Sequence, residues 1–250
     1  MCPGRKKGAW DAVRFQWSSE SIRWYREAAE YGDFHRNIAK LLRTCVKGAD
    51  SLCDLGCGLG YLDAELSPWV ARIEALDICR EAVISLGNMA KARKIRNIFP
   101  VCGDWEARLD GERPQIALLS FFGNLNDERQ FRRVYAFPRS TLIYITNTDR
   151  KSNLSPSGIS RREKACGEQF SALLERLDIP YISRRAELEF GQPFASRGDA
   201  EAFVEYYYPG CTAAERKEFL CSRLERRDGG YYLPNQKSLE IFIFYKEEEQ

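Results

Sequence analysis

Apolar and polar positions along the chain change their period at about residue 51. Before that point the spacing is helical. Ser18 or Ser19 can cap a helix that runs through about Tyr31 and ends at Gly32. Asp33 can open a second, in which Ile38, Leu41, Leu42 and Cys45 follow the i, i+3, i+4, i+7 spacing of one helical face, with Gly48 closing it. Residues 1 to about 17 lack such a period and read as a loose arm carrying Trp10, Phe15 and Trp17. The front section, 1–48, also concentrates Trp24, Tyr25, Tyr31, Phe34 and His35. That density fits either an amphipathic helical layer docked on a core or a lid over the segment that follows.

From Ser51 to the end, 49–250 as a unit, strand and helix patterns alternate, which predicts a parallel sheet covered on both faces. Strands are expected at about 51–55, 72–76, 97–102, 116–122, 141–146, 181–190 and 239–245. Helices are expected at about 61–67 (stopped by Pro68), 80–93, 127–136 and 161–177. Pro100 cannot donate to a sheet ladder, so the third strand belongs at an edge. The unbroken apolar run at 116–122 belongs at the centre, buried on both faces. Residues 149–160 are polar with Ser, Pro and Gly and read as a loop. An insertion at about 191–232, before the last strand, is expected to be helical, two helices over 198–227 being separated by Pro209-Gly210. Its aromatic residues Phe190, Phe194, Phe203, Tyr206, Tyr207 and Tyr208 could wall a small-molecule pocket or pack an amphipathic helix. The fold class is therefore a doubly wound α/β domain, in effect one domain with helices ahead of it.

One stretch departs from mere patterning. Ser51-Leu52-Cys53-Asp54-Leu55-Gly56-Cys57-Gly58-Leu59-Gly60-Tyr61-Leu62 runs a strand into a glycine-rich turn that opens a helix. Glycine permits positive φ and the close approach of a ligand to bare backbone. Tyr61 stands where a dinucleotide-binding turn needs its third glycine, and no phosphate loop of the G-x-x-x-x-G-K-[ST] type is present. Asp54 ahead of the first glycine would repel a pyrophosphate but could accept from an ammonium group. The turn thus favours a cofactor without phosphates that carries a positive amino group.

This stretch resembles the first motif of the class I S-adenosylmethionine-dependent methyltransferases, and the resemblance extends at motif level over about 51–147. It implies a seven-stranded, mostly parallel sheet of order 3-2-1-4-5-7-6, whose last strand runs antiparallel between the fifth and sixth. It also implies S-adenosylmethionine as cofactor and S-adenosylhomocysteine as product. Asp77, ending the second strand, falls where the family's acid holds both ribose hydroxyls, a diol that suits the two oxygens of a carboxylate. Asp104 after the third strand falls where the family's Asp accepts from the adenine amino group, with Ile78 and Trp105 at the positions flanking the ring. Asp54, Gly56, Cys57, Gly58 and Gly60 belong to the turn, and Ser120 and Phe121 end the fourth strand beside the reactive end. Taken singly, Asp77 or Asp104 reads equally as a turn former or helix cap. The Asn-Pro-Pro-Tyr motif of many amino-group nucleic-acid methyltransferases is missing at Ser120-Phe121-Phe122-Gly123-Asn124, where Asn124 is a turn former or a substrate contact.

The mechanism implied is in-line attack by an acceptor on the sulfonium methyl, in which the protein supplies mainly proximity and orientation. His35, the only histidine, and Tyr31 are candidates for a general base. A non-catalytic S-adenosylmethionine-binding scaffold and a nucleotide-dependent oxidoreductase are the other readings.

Composition adds little and excludes some partners. A net charge of +2 over 250 residues gives no field toward nucleic acid or membranes, and Arg161-Arg162, Arg184-Arg185 and Arg226-Arg227 are diluted by Glu163, Glu187 and Glu225. A small-molecule acceptor is favoured. The nine cysteines form no regular framework and have no zinc-site spacing, Cys53 and Cys57 being four apart, so free thiols and no metal are expected. The basic start Met1-Cys2-Pro3-Gly4-Arg5-Lys6-Lys7 leads into no signal-peptide core, and no apolar run approaches a membrane span; a cytoplasmic location is the expectation.

Overall fold

The computed structural model describes residues 17–122, 125–148, 152–158, 167–227 and 229–246. The chain opens with α1 (Ser19–Tyr31) and α2 (Phe34–Val46), followed by β1 (Ala49–Leu55), α3 (Tyr61–Leu66), β2 (Val70–Asp77), α4 (Arg80–Ala92) and β3 (Ile98–Cys102). Next come α5 (Trp105–Arg108), β4 (Ile116–Ser120), α6 (Glu128–Ala136), β5 (Thr141–Asn147), α7 (Gly167–Leu177) and β6 (Ile182–Glu189). The insertion holds β7 (Gln192–Phe194), α8 (Arg197–Tyr207), α9 (Ala213–Arg223), β8 (Glu225–Arg227) and β9 (Gly230–Leu233), and β10 (Gln236–Tyr245) completes the main sheet.

That sheet has seven strands in the order β3-β2-β1-β4-β5-β10-β6, with β10 antiparallel to both neighbours. The last strand takes the place expected for a seventh, between the fifth and sixth. Pro100 sits on edge strand β3, opposite Ala75 of β2, where its missing N–H breaks no inner ladder. The order reverses between β1 and β4, which places a crevice at their carboxyl ends.

Alternation along β10 shows how two layers form on one sheet. Leu239, Ile241 and Ile243 enter one core with Ile38, Leu42 and Val46 of α2, Leu62 and Leu66 of α3, and Leu86 of α4. Phe242 and Phe244 enter the opposite core with Phe131 and Val134 of α6 and Phe170, Leu173 and Leu174 of α7. Successive side chains on a strand point to opposite faces, so one strand supplies both layers.

Several boundaries differ from expectation. The fourth strand ends at Ser120, two residues short of the apolar run, because Phe121 turns the backbone to φ +52°. Gly32 closes α1 in an extended conformation (φ −124°), so it stops the helix without a left-handed cap. Asp33 precedes α2 but pairs its carboxylate with Arg36 (2.7 Å) instead of capping it. Asp104 opens α5, a short helix the sequence pattern does not announce. The insertion is not purely helical: β7, β9 and β8 form a three-stranded antiparallel sheet beneath α8 and α9. Its strands have three or four residues each, too few for alternation to register. The helix expected at 161–177 is described from Gly167, and its first six residues, the turn at Gly123-Asn124 and the arm before Trp17 lie outside the described residues.

The insertion and α1 are joined by one side chain above all. Trp24 of α1 is buried edge-on against Phe203 (centroids 5.3 Å apart) and Tyr206 (5.5 Å) of α8. Its Nε1–H donates to Asp199 (3.1 Å), a carboxylate that also pairs with Arg23 (2.6 Å). Gln192 of β7 donates to the Trp24 carbonyl (3.0 Å). A capping box at Ser18 and Ser21 starts this helix, a feature worth about 1 kcal/mol. Among the described residues no helix is long and apolar enough to cross a membrane, and no cluster of three metal-ligating side chains occurs.

Candidate active site

The glycine turn between β1 and α3 is built as its sequence demands. Gly56, Gly58 and Gly60 have φ of +82°, +56° and +69°, a region that side chains with a Cβ rarely adopt. The turn is tied to the end of β2: Gly56 and Cys57 both donate to the Leu76 carbonyl (2.8 and 2.9 Å). Space is as restrictive as backbone angle. A Cβ at Gly56 would overlap the Phe122 ring, and at Gly60 the buried Leu86 side chain. At Gly58 it would come within 3.1 Å of Trp17. The aromatic rings of Phe122 and Trp17 therefore lie against the turn.

Asp77 ends β2 with its carboxylate between this turn and the loop that follows β2. Oδ2 accepts from the Gly58 N–H (2.9 Å) and Oδ1 from the Cys79 N–H (2.8 Å). A carboxylate has about four acceptor positions, so each oxygen keeps capacity for a further donor. Beyond it the Ile78 side chain is 46% exposed. Asp104 accepts from the Glu106 N–H (3.1 Å), the helix-cap use open to it from sequence. Trp105 is half-buried and meets Phe122 edge-on at 6.0 Å. Ser120 is half-buried at the end of β4. Phe121, in its left-handed turn, stacks near Phe34 (6.0 Å) and lies 3.9 Å from the Lys237 ammonium.

Asp54 is nearly buried, 2% exposed, and its carboxyl lies beside that of Asp63, wholly buried in the first turn of α3. Asp54 Oδ1 and both Asp63 oxygens have no donor among the described residues. Burial disfavours charge on both, and their mutual repulsion, with Asp77 nearby, raises Asp54 well above the carboxylate range; Asp63 is raised by burial too. Burial and mutual repulsion thus favour a protonated form of the pair. Asp63 was not singled out by sequence. Its signal was an acid inside an otherwise apolar turn, Tyr61-Leu62-Asp63-Ala64.

Linkage gives this pair a sign. Its proton affinity is higher folded than unfolded, so its contribution to stability is full at low pH and is lost as pH rises from about 4 toward the raised folded value. Asp63→Asn lets an amide donate to Asp54. It is expected to stabilise the protein at about pH 8 by roughly 1–3 kcal/mol and to flatten the fall of Tm with pH, read by scanning calorimetry.

The two base candidates are placed differently from expectation. His35 is buried, its Nε2 within 2.9 Å of the Tyr25 hydroxyl, and burial with Lys237 and Arg93 nearby pushes it down to about 3. It is neutral at physiological pH and a poor base. Tyr31 faces the insertion: its ring stacks on Tyr232 (4.9 Å) and its hydroxyl accepts from Arg227 (3.3 Å). Both line a cavity of about 420 Å³ with Arg36, Tyr61, Glu65 and Arg93, but no residue of the glycine turn and neither Asp77 nor Asp104 does. Cys57, half-buried near Asp54, Asp63 and Asp77, has its thiol pushed up by desolvation and by those carboxyls, which makes it a poor nucleophile.

No protein-family model matches the chain, and no curated protein does. Solved structures do. The YcgJ protein from Bacillus subtilis aligns over 85% of this chain and 100% of its own, at 12% identity and TM-score 0.54. Precorrin-6y C5,15-methyltransferase from Geobacter metallireducens aligns over 84% and 87% at 12% identity and TM-score 0.49. Magnesium protoporphyrin IX methyltransferase from Synechocystis, solved with S-adenosylmethionine, aligns over 83% and 79% at 12% identity and TM-score 0.45. The likeness to YcgJ is one of fold: a Rossmann-like, seven-stranded doubly wound domain, as expected from the sequence.

Proposed function

We propose that the chain is an S-adenosylmethionine-dependent methyltransferase with a small-molecule acceptor. The observation that carries this reading is the pairing of a three-glycine, left-handed turn with the Asp77 carboxylate at the next strand end. The bare backbone of the turn admits the methionine portion, and the remaining acceptor capacity of Asp77 suits a ribose diol. Ile78 and Trp105 would border the adenine, with Asp104 at its edge, and Ser120 and Phe121 would lie toward the reacting centre. When bound, the cofactor supplies an activated methyl group, leaving the protein to hold the acceptor in line and keep water out. Phe34, Phe121 and Phe190 meet at that end of the sheet, Phe34 stacking on Phe190 at 4.5 Å, and suit an acceptor with an apolar body. In this reading the segment that leads into α1 covers the turn, since Trp17 lies against Gly58.

Asp77→Ala is expected to weaken S-adenosylmethionine binding tenfold or more, the loss of about 1.5–3 kcal/mol for hydrogen bonds to a charged acceptor. Titration calorimetry measures it, with a thermal scan to verify folding. Unchanged affinity would remove Asp77 from the site.

A second reading, a binding scaffold without transferase activity, draws on the burial of His35 and the outward placement of Tyr31, which leave neither candidate as a base. Radiolabelled methyl transfer to small-molecule pools separates the two. An oxidoreductase would instead bind a nicotinamide dinucleotide or a flavin, for which the turn lacks its third glycine.

A further inference from the structure

Resting on the cofactor reading above, we propose that Asp63 joins Asp54 as the receptor for the cofactor's ammonium group, and that the pair releases its shared proton when that group binds. The two residues bracket the glycine turn, Asp54 in the strand before it and Asp63 in the helix after it. Three of their four oxygens are buried without a donor, an arrangement that persists in proteins only where something else satisfies it. No lysine or arginine among the described residues bonds to either carboxyl. The missing partner has to be a cation or a proton. In the protein alone it is a proton.

Every other titratable group that faces the pair keeps its state near neutrality or sits outside the exchange. Tyr25 of α1, half-buried beside Asp54, holds its proton, as do the thiols of buried Cys53 on β1 and half-buried Cys57 in the turn. His35 of α2, bonded to Tyr25, is already neutral. Asp77 of β2 is bonded to Gly58 and Cys79 and lies near enough to Asp54 to add to the repulsion on it. An ammonium group arriving at the pair makes two ionised carboxylates tolerable where one was before. The O–H bond of the dyad breaks, its proton passes to solvent, and no bond of the cofactor changes.

The measurement is calorimetric titration of S-adenosylmethionine into the full chain at about pH 6.5, in two buffers of unlike ionisation enthalpy. At that pH an α-amino group, with an ordinary value near 7.7–8.0, already carries its charge, so it does not mask the exchange. The expected result is release of about one proton per cofactor, and affinity that rises up to about tenfold per pH unit across the range where the pair titrates. Asp63→Asn, or Asp54→Asn should that variant fold poorly, is expected to bind with no buffer-dependent heat and a flat pH profile. Binding by the wild-type chain without proton release overturns the proposal and leaves the cofactor reading standing. Undiminished release in both variants overturns it as well. Absence of any binding overturns the cofactor reading and the proposal with it.

Discussion

Trp24→Ala is expected to destabilise the protein by roughly 3–5 kcal/mol, the range for removing a buried large aromatic side chain. The indole is 2% exposed and has no room to be replaced by solvent without opening the contact between α1 and α8. The loss has three parts: the buried area, the edge contacts to Phe203 and Tyr206, and the donor to Asp199. Arg23 stays paired with that carboxylate, so the charge is not stranded. For a chain of this length each kcal/mol moves Tm by about 2–4 °C, so a fall of roughly 10 °C is expected in scanning calorimetry. Trp24→Phe keeps most of the ring and drops the N–H, and should lose only about 1–2 kcal/mol. A Tm for Trp24→Ala within 2 °C of wild type, at about this precision, would show that α1 does not depend on the insertion.

Gly60→Ala should be nearly as damaging, for a different reason. At φ +69° a Cβ adds about 1–2 kcal/mol of backbone strain, and here it also collides with Leu86, a fully buried member of the main core. Overpacking of a filled core adds about 1–3 kcal/mol. Gly48 provides the internal comparison: its φ is +85°, yet no atom lies within 4 Å of the Cβ position. Gly48→Ala should therefore show the strain alone. Urea unfolding of the two variants measures the difference, and equal losses would mean that Leu86 yields to the new methyl group. Gly60→Ala is further expected to abolish cofactor binding, because the turn cannot keep its shape while α3 shifts.

Much of this was legible along the chain because it is local. The two front helices, the alternation of strand and helix from residue 51, and the edge position that Pro100 requires each depend on a few neighbouring residues. So do the left-handed glycines, for which the residue type and the conformation are nearly the same statement. The three-stranded sheet in the insertion was not legible, since strands of three or four residues carry no period. The end of the fourth strand was misplaced because Phe121 adopts a glycine-like φ that its apolar side chain gives no hint of.

The site divides in the same way. Sequence alone determined that a strand, a glycine turn and two carboxylates at successive strand ends would come together, because a parallel sheet collects the ends of its strands at one edge. Only the tertiary structure decided what each side chain does there. Asp54 gained a partner nine residues on in Asp63, Asp77 took the N–H groups of Gly58 in the turn and of Cys79 beyond β2, and Asp104 became a helix cap. His35 was buried beside Tyr25 and Tyr31 was drawn to the insertion 196 residues away through Arg227. Burial and long-range contact set the charge and reach of a side chain, and neither is written in the residues beside it.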